Sequence, residues 1–258
     1  MFVIFHYYKD SIAHEGMNLE FRKNDFNEIY NEPTPHNYIS QLSRFKYRKH
    51  DFVFDPLLRH VDRYLSTRER CKIIDVACSY GFNGRIVKHR LPYGHWENKP
   101  TESDSSACSV VGIDISDKAL AYALREKYID HRICQNLEED ELTPENYNIL
   151  SGADLVLASG AFSYVGVRTL RRIYSNPENK ADFIGWPTCS FDKRELIEFL
   201  KDNFKIVEVY PNVFPMRLFA SFDERESYLD NMKIHNPEFL GKSHDVLCVF
   251  QVKASGRI

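Results

Sequence analysis

The amino-acid sequence predicts an α/β fold, a doubly wound sheet of seven strands with an antiparallel final hairpin and an N-terminal helical cap. Short apolar runs alternate with helical patterns from about residue 72 onward. The first apolar run is followed directly by a turn of small residues and a helix start. No crossover helix pattern of the βαβ type separates the last two runs, which is typical of an antiparallel pair at a sheet edge. The predicted strands are 72–77, 109–115, 131–135, 153–159, 183–187, 204–210 and 244–252.

Capping residues mark the helices between these strands. Ser116 is the predicted N-cap of a helix over 116–125, and Asp192 is the predicted N-cap of a helix over 191–200, because short oxygen-bearing side chains accept from the first free backbone N–H groups. Further helices are predicted over 82–90, around 167–174 and near 223–230.

The N-terminal region, residues 1–66, is predicted to be a helical cap or lid on the sheet domain. An amphipathic pattern predicts a helix over 38–48. Asp55 and Pro56 predict the N-cap and first position of a second helix that ends near Leu65. Residues 67–258 then form the sheet domain, with insertions at 94–107 and 211–243.

Composition excludes several classes of function. The chain has 258 residues, 43% of them hydrophobic, which is enough for one large domain or a core plus a cap. The net charge of −3 gives no electrostatic case for nucleic acid. The basic and aromatic run 44–50 is therefore interpreted as a solvated helix face or a lid over an anionic small ligand, in preference to a polynucleotide site.

Cysteine spacing and hydropathy bear on metals, membranes and location. The six cysteines form no Cys-x-x-Cys pair, so no zinc site is predicted. No apolar run reaches membrane-spanning length and no secretory signal is recognisable, so we expect no membrane partner and a reducing cytoplasmic location.

The segment 71–84 carries the strongest functional signal. It combines a buried strand, an acid at the strand end (Asp75), a tight turn and a helix start, which is the arrangement of a nucleotide-binding βα turn. The usual glycine spacing is kept, with Ala77 and Ser79 at the first two positions and Gly81 at the third. The second strand ends in Asp114, and an acid there suits the two hydroxyls of a ribose.

These segments, together with the strand that ends at Ser159, resemble the class I S-adenosylmethionine-dependent methyltransferases over roughly residues 70–210. The resemblance implies a Rossmann-like sheet and S-adenosyl-L-methionine as cofactor. It places the turn near the methionine part, the end of the second strand at the ribose, and the residues after the third strand at the adenine. The cofactor-binding residues implied in this way are Asp75, Ala77, Ser79, Gly81, Asp114, Ile115, Asn136, Leu137 and Ser159. S-adenosylmethionine has no phosphate, so a turn that lacks the first glycine can still accommodate it.

The loop 159–166 is where this fold brings a substrate to the sulfonium. It lacks the Asn/Asp-Pro-Pro-Tyr signature, which by resemblance disfavours methylation of nucleobase or glutamine amino groups. Tyr164 is the candidate for orienting an acceptor, and His36 is a candidate base. Tyr30, Tyr38 and Tyr47 of the cap are candidates for contacting substrate, with core packing as the alternative for each.

The sequence thus predicts a methyltransferase acting on a small molecule, with a role in secondary metabolism left open. A first alternative is a cyclase or aminocarboxypropyl transferase that releases methylthioadenosine, for example by forming azetidine-2-carboxylate from the cofactor. A second alternative is an inactive protein that binds the cofactor. The acceptor and the oligomeric state are not predicted.

Overall fold

The computed structural model describes residues 31–91, 107–162, 165–242 and 245–258, with the side chains of residues 49–51 left out. Tyr30, Tyr164 and all but the last residue of the predicted 94–107 insertion lie outside the described residues. One sheet contains the strands β1 (Cys71–Val76), β2 (Cys108–Asp114), β3 (His131–Cys134), β4 (Leu155–Ser159), β5 (Asp182–Trp186), β6 (Phe204–Leu218) and β7 (Val246–Arg257).

The strand order is β3-β2-β1-β4-β5-β7-β6, which confirms the predicted doubly wound sheet. The first five strands run parallel, and β7 is antiparallel to both β5 and β6, as the missing crossover pattern predicted. Within the sheet, the chain passes from β1 outward to β3 and then returns to form β4 on the other side of β1. The strand order therefore reverses between β1 and β4, and open α/β sheets bind ligands at the carboxyl ends of such strands.

The helices are α1 (His36–Arg44), α2 (Lys49–Leu65), α3 (Phe82–His89), α4 (Asp117–Arg125), α5 (Pro144–Leu150), α6 (Val167–Ile173), α7 (Lys193–Asn203) and α8 (Phe222–His235), with a short 3₁₀ helix at Pro237–Phe239. Both predicted N-caps are confirmed: Ser116 accepts from the Ala119 N–H, and Asp192 accepts from the Arg194 N–H. Helix α5, capped by Thr143, is absent from the sequence prediction.

The predicted start of the second cap helix is wrong. Helix α2 begins at Lys49, six residues before Asp55, and Pro56 lies inside it. Proline removes one backbone N–H, but burial offsets that loss because Phe52 and Val53, ahead of the proline, are 2% and 0% exposed.

The predicted 211–243 insertion also differs from the structure. Strand β6 continues through Leu218, with irregular pairing to β7 between Val209 and Val213 and between Pro215 and Arg217. Helix α8 then runs over fourteen residues, longer than the predicted 223–230. A β-bulge interrupts the alternation of apolar and polar residues, but the strand continues to pair beyond it. The alternating pattern in the sequence therefore ends at residue 210, before the strand does.

The cap helices pack into the same core as the sheet. Val53, Leu57 and Val61 are fully buried at a spacing of four residues, which forms one stripe along α2. The turn between α1 and α2 is joined to β6 by two backbone hydrogen bonds of 2.7 Å, from the Arg48 N–H to the Met216 oxygen and from the Leu218 N–H to the Phe45 oxygen. The α1–α2 turn is thereby placed at the carboxyl edge of the sheet, whereas Tyr64 at the other end of α2 donates to Asp182 at the start of β5.

Candidate functional site

A buried hydrogen-bond network joins the carboxyl ends of β1 and β4. The Asn83 Nδ2 donates to Asp75 Oδ1 and to Ser159 Oγ, each at 2.8 Å. All three residues are under 5% exposed. Asp75 ends the apolar part of β1, Ser159 ends β4, and Asn83 lies in the first turn of α3. The network therefore fixes the floor of the crevice at the point where the strand order reverses.

Sequence reasoning missed Asn83. The sequence does place Asn83 near the site, because it follows Gly81 by two residues at the start of the helix that closes the βα turn. One of its two partners, Ser159, lies 76 residues further along the chain, however, and only the fold brings the two side chains together.

The turn after β1 has the conformation that the glycine spacing predicted. Ala77, Ser79 and Gly81 all have left-handed backbones, with φ of 51°, 52° and 76°. Within this left-handed turn the Cys78 N–H donates to the Ile113 oxygen at 3.1 Å, and the Gly81 N–H donates to the Cys78 oxygen at 3.0 Å. Alanine and serine adopt this conformation at a cost in backbone strain, and strain of this kind concentrates at ligand sites. The Ser79 hydroxyl is buried and has no hydrogen-bond partner in the described part of the chain.

Asp114 is held over this turn by backbone groups. Its Oδ2 accepts from the Ser79 N–H at 2.8 Å, and its Oδ1 accepts from the Ser116 N–H at 2.9 Å. An ionised carboxylate accepts at about four positions, so it can bind hydroxyls while it keeps these two contacts. The next residue, Ile115, is 53% exposed.

The segment after β3 forms a compact turn. The Asn136 carboxamide oxygen accepts from the Glu138 N–H at 3.1 Å, and Leu137 is buried. Contact between Asn136 and an adenine would use the second lone pair of that oxygen.

Glu138 links this turn to the start of α6. Its Oε1 accepts from the Gly166 N–H at 2.8 Å and from the Thr169 N–H at 3.1 Å. A carboxylate is favourable at a helix N-terminus because it satisfies free N–H groups there. Glu138 therefore fixes the loop after β3 to the loop after β4 across the crevice, a contact that the sequence did not reveal.

Tyr38 of the cap is a packed residue. Its ring is 3% exposed, stacks on Phe82 at 5.6 Å, and lies 5.6 Å from the ring of Tyr80. This is the packing alternative considered for the cap tyrosines, and contact between Tyr38 and a substrate stays a prediction. Tyr80 donates to the Glu32 backbone oxygen at 3.1 Å, and burial raises the pKa of its hydroxyl, so it remains a neutral donor.

Tyr47 lies at the carboxyl end of β4. It is half-buried, and its hydroxyl lies 3.8 Å from the point where a Cβ on Gly160 would stand. The Met216 Sδ lies 3.9 Å from the same point. Tyr47 and Met216 thus form a wall above the residue that follows Ser159, which is where the fold predicts the reacting atoms.

The two candidate catalytic residues remain predictions. His36 is exposed at the start of α1, with its Nδ1 3.0 Å from the Thr34 hydroxyl. Tyr164 lies outside the described residues.

The described residues contain no group of three or more His, Cys, Asp or Glu that could hold a metal ion. They also contain no helix long and apolar enough to cross a membrane. All six cysteines are free, and Cys134 is the exposed one because β3 is an edge strand.

The structure assigns a packing constraint to Gly81. A Cβ at this position would lie 2.8 Å from the Ala123 Cβ and 3.0 Å from the Tyr128 Cβ, so the crowding is against α4 and the residues after it. Gly81→Ala is expected to lower the free energy of unfolding by about 2–4 kcal/mol, since left-handed strain and overpacking add. Urea denaturation measures this loss.

Gly152→Ala is the matched control for Gly81→Ala. Gly152 has a similar φ of 69°, but nothing lies within 4 Å of its built Cβ. The control should lose only the strain contribution, about 1–2 kcal/mol. Equal losses in the two variants would contradict the packing role of Gly81.

Comparison with known proteins gives distant structural likenesses. No protein-family model and no curated protein matches the chain. The plantazolicin methyltransferase BpumL, solved with S-adenosylhomocysteine, is 11% identical with a TM-score of 0.48 over 86% of this chain and 89% of that one. The N-methyltransferase NodS from Bradyrhizobium japonicum WM9, also solved with S-adenosylhomocysteine, is 11% identical with a TM-score of 0.39 over 83% and 97%. The [4+2]-cyclase SpnF is 13% identical with a TM-score of 0.43 over 78% and 81%. Likenesses at this level of identity do not establish an activity for this chain.

Proposed function

We propose that this chain is an S-adenosylmethionine-dependent methyltransferase that acts on a small molecule. The observation that carries the proposal is the setting of Asp114. Two backbone N–H groups orient its carboxylate at the end of β2, beside the left-handed turn and the exposed Ile115. A preoriented carboxylate at this position suits the two hydroxyls of a ribose.

The turn favours this cofactor over a dinucleotide. A pyrophosphate needs glycine where the backbone approaches it closely, whereas Ala77 and Ser79 carry side chains at the first two positions. Calorimetric titration with S-adenosylhomocysteine and with NAD tests the assignment. We expect binding of the first alone. Failure to bind S-adenosylhomocysteine would reject the proposal, and it is also the result expected of a protein without cofactor function.

The cap supports a small-molecule acceptor. Tyr47 and Met216 stand above Gly160, and the hydrogen bonds from the α1–α2 turn to β6 hold this wall in place. Such a wall encloses a small, largely apolar ligand and excludes water from the reacting atoms. In this proposal Tyr47 contacts the acceptor, and Asp75, held by Asn83, lies near the methionine end of the cofactor.

Methyl transfer differs from cofactor cyclisation in its products. Incubation with S-adenosylmethionine alone, followed by mass spectrometry, is expected to leave the cofactor unchanged. Methylthioadenosine formed without an acceptor would support the cyclase alternative, in which the cofactor's own amino group attacks its γ-carbon and methylthioadenosine leaves. Methylthioadenosine formed only when an acceptor is added would support aminocarboxypropyl transfer to that acceptor.

Ligand binding should protect the cap from hydrogen exchange. We expect S-adenosylhomocysteine to slow amide exchange in residues 36–48, because the turn that carries Tyr47 borders the site and is joined to β6 by two backbone hydrogen bonds. Mass spectrometry of peptides from the free and bound protein measures the change.

The control for this experiment is α7, Lys193–Asn203, which packs on the sheet away from the crevice and should show no change. Equal protection of residues 36–48 with and without ligand would mean that the cap is rigid packing.

A further inference from the structure

Two buried donors lie side by side where the carboxyl end of β5 meets the antiparallel strand β7. Trp186 is 0% exposed and Gln251 is 5% exposed. The indole Nε1 of Trp186 and the carboxamide Nε2 of Gln251 have no hydrogen-bond partner in the described part of the chain. A buried donor without an acceptor is costly, so each of these groups calls for an acceptor atom.

Strand register makes the two residues direct neighbours. Gly185 pairs with Val252, and Thr188 pairs with Val249, which places Trp186 opposite Gln251. The Phe250 N–H donates to the Pro187 oxygen. Hydrogen-bonded and non-hydrogen-bonded pairs alternate along an antiparallel ladder, so the adjacent pair, Trp186 and Gln251, is a non-hydrogen-bonded pair. Side chains of such a pair approach each other most closely. One acceptor can therefore serve both nitrogen atoms.

The pair lies on the same face of the sheet as the candidate site, and Ser159, Trp186 and Gln251 form one row of residues paired across β4, β5 and β7. Trp186 is the register partner of Ser159, so their side chains point to the same side of the sheet. On that side Ser159 bonds Asn83 within the network that holds Asp75. Trp186 and Gln251 thus extend the site by two strands, away from β1 and toward β7.

The surroundings of the pair are apolar. Phe214 of β6 is the register partner of Val249, so it lies on the same face as Gln251. Phe52 of α2 stacks on Phe214 with ring centroids 6.0 Å apart. Together with the wall of Tyr47 and Met216, these rings cover the face with aromatic and apolar surface.

We propose that Trp186 and Gln251 bind a carbonyl oxygen of the substrate, and that the substrate is an uncharged, largely apolar molecule. The proposal rests on the proposed function, which makes this edge the acceptor side of the site. Both donors are neutral, so they suit a neutral acceptor atom. A buried carboxylate would need a cation to offset its desolvation. The registers place two cations on this face, but Arg217 is paired with Glu224, and Lys253 lies over the Tyr210 ring, nearer the start of β5.

Trp186 itself can report binding. The chain has two tryptophans, and Trp96→Phe leaves Trp186 as the single tryptophan of the full-length protein, which can be excited selectively over the tyrosines. Benzamide is the neutral carbonyl probe. Benzylamine has the same ring but carries an ammonium group and no carbonyl. We expect saturable changes in Trp186 emission with benzamide and none with benzylamine.

Gln251→Leu in the same background removes one donor while keeping the size of the side chain. It should weaken benzamide binding about fivefold, the effect of losing one neutral hydrogen bond. Gln41→Leu makes the same change at a partly exposed residue of helix α1, and it should leave benzamide binding unchanged. Affinity for S-adenosylhomocysteine should be the same in both variants.

The outcomes separate this proposal from the assignment of the cofactor. Equal benzamide affinity with and without Gln251, or no saturable emission change, would overturn the donor pair. A lower melting temperature of Gln251→Leu with unchanged benzamide affinity would show that the pair holds a structural water instead. If the parent protein binds benzamide as expected and fails to bind S-adenosylhomocysteine, the proposed function fails while the donor pair stands.

Discussion

Asp114→Ala is expected to weaken binding of S-adenosylhomocysteine by about 1.5–3 kcal/mol for each of the two ribose hydrogen bonds that it removes, since both are made to a charged group. The carboxylate also orders its surroundings, because it accepts from the Ser79 N–H and the Ser116 N–H. Part of the loss will therefore come from a looser turn. Calorimetric titration measures the total effect, and urea denaturation measures the change in stability.

Asp117→Ala is the matched control for Asp114. Asp117 lies three residues further on, at the start of α4, and forms a partly exposed ion pair with Arg132. Its removal should change cofactor affinity little, because exposed ion pairs contribute about 0–1 kcal/mol to stability and this one does not face the turn. Unchanged affinity in Asp114→Ala would reject the ribose assignment.

Glu224→Gln is expected to lower the free energy of unfolding by about 3–5 kcal/mol, because it leaves the charge of Arg217 buried without its counter-ion. The two side chains are 1% and 0% exposed and are joined by two hydrogen bonds of 2.9 and 2.5 Å. The Glu224 carboxylate also accepts from the Ala220 N–H at 2.8 Å, which ties the end of β6 to the start of α8. Urea denaturation of the full chain measures the loss.

The neighbouring Glu226 provides the control for this change. It pairs with Arg225 near the surface, where the two side chains are 44% and 32% exposed. Glu226→Gln should cost less than about 1 kcal/mol. A loss of that small size in Glu224→Gln would show that the buried ion pair does not stabilise the fold.

The Arg217–Glu224 pair also bears on function. Arg217 lies between Met216 and Leu218, the two β6 residues that hold the cap turn by backbone hydrogen bonds. The Arg217 guanidinium carbon lies 6.0 Å from the centre of the Phe45 ring in that turn. A variant that keeps the fold but loosens this junction should therefore lose protection from hydrogen exchange in residues 36–48 first.

Much of the sheet could be predicted from the sequence because its signals are local. The strand that ends at Asp75, the turn to Gly81 and the N-caps Ser116 and Asp192 each depend on residues a few positions apart. The antiparallel final pair is as predicted, although the helix α8 lies between its two strands, so a helix between two strands does not by itself make them parallel. The alternation of strands and helices therefore determined the fold class.

Tertiary structure decided the features that depend on distant partners. Pro56 indicated a helix start, yet burial of Phe52 and Val53 carried α2 past it. Asn83 became part of the site because β1 and β4 meet beside α3. Trp186 and Gln251 became neighbours only through the register of β5 and β7. Local periodicity and capping are encoded in the chain within one turn or strand, whereas burial and cross-strand pairing are set by the packed sheet. The proposed substrate side of the site depends on burial and cross-strand pairing.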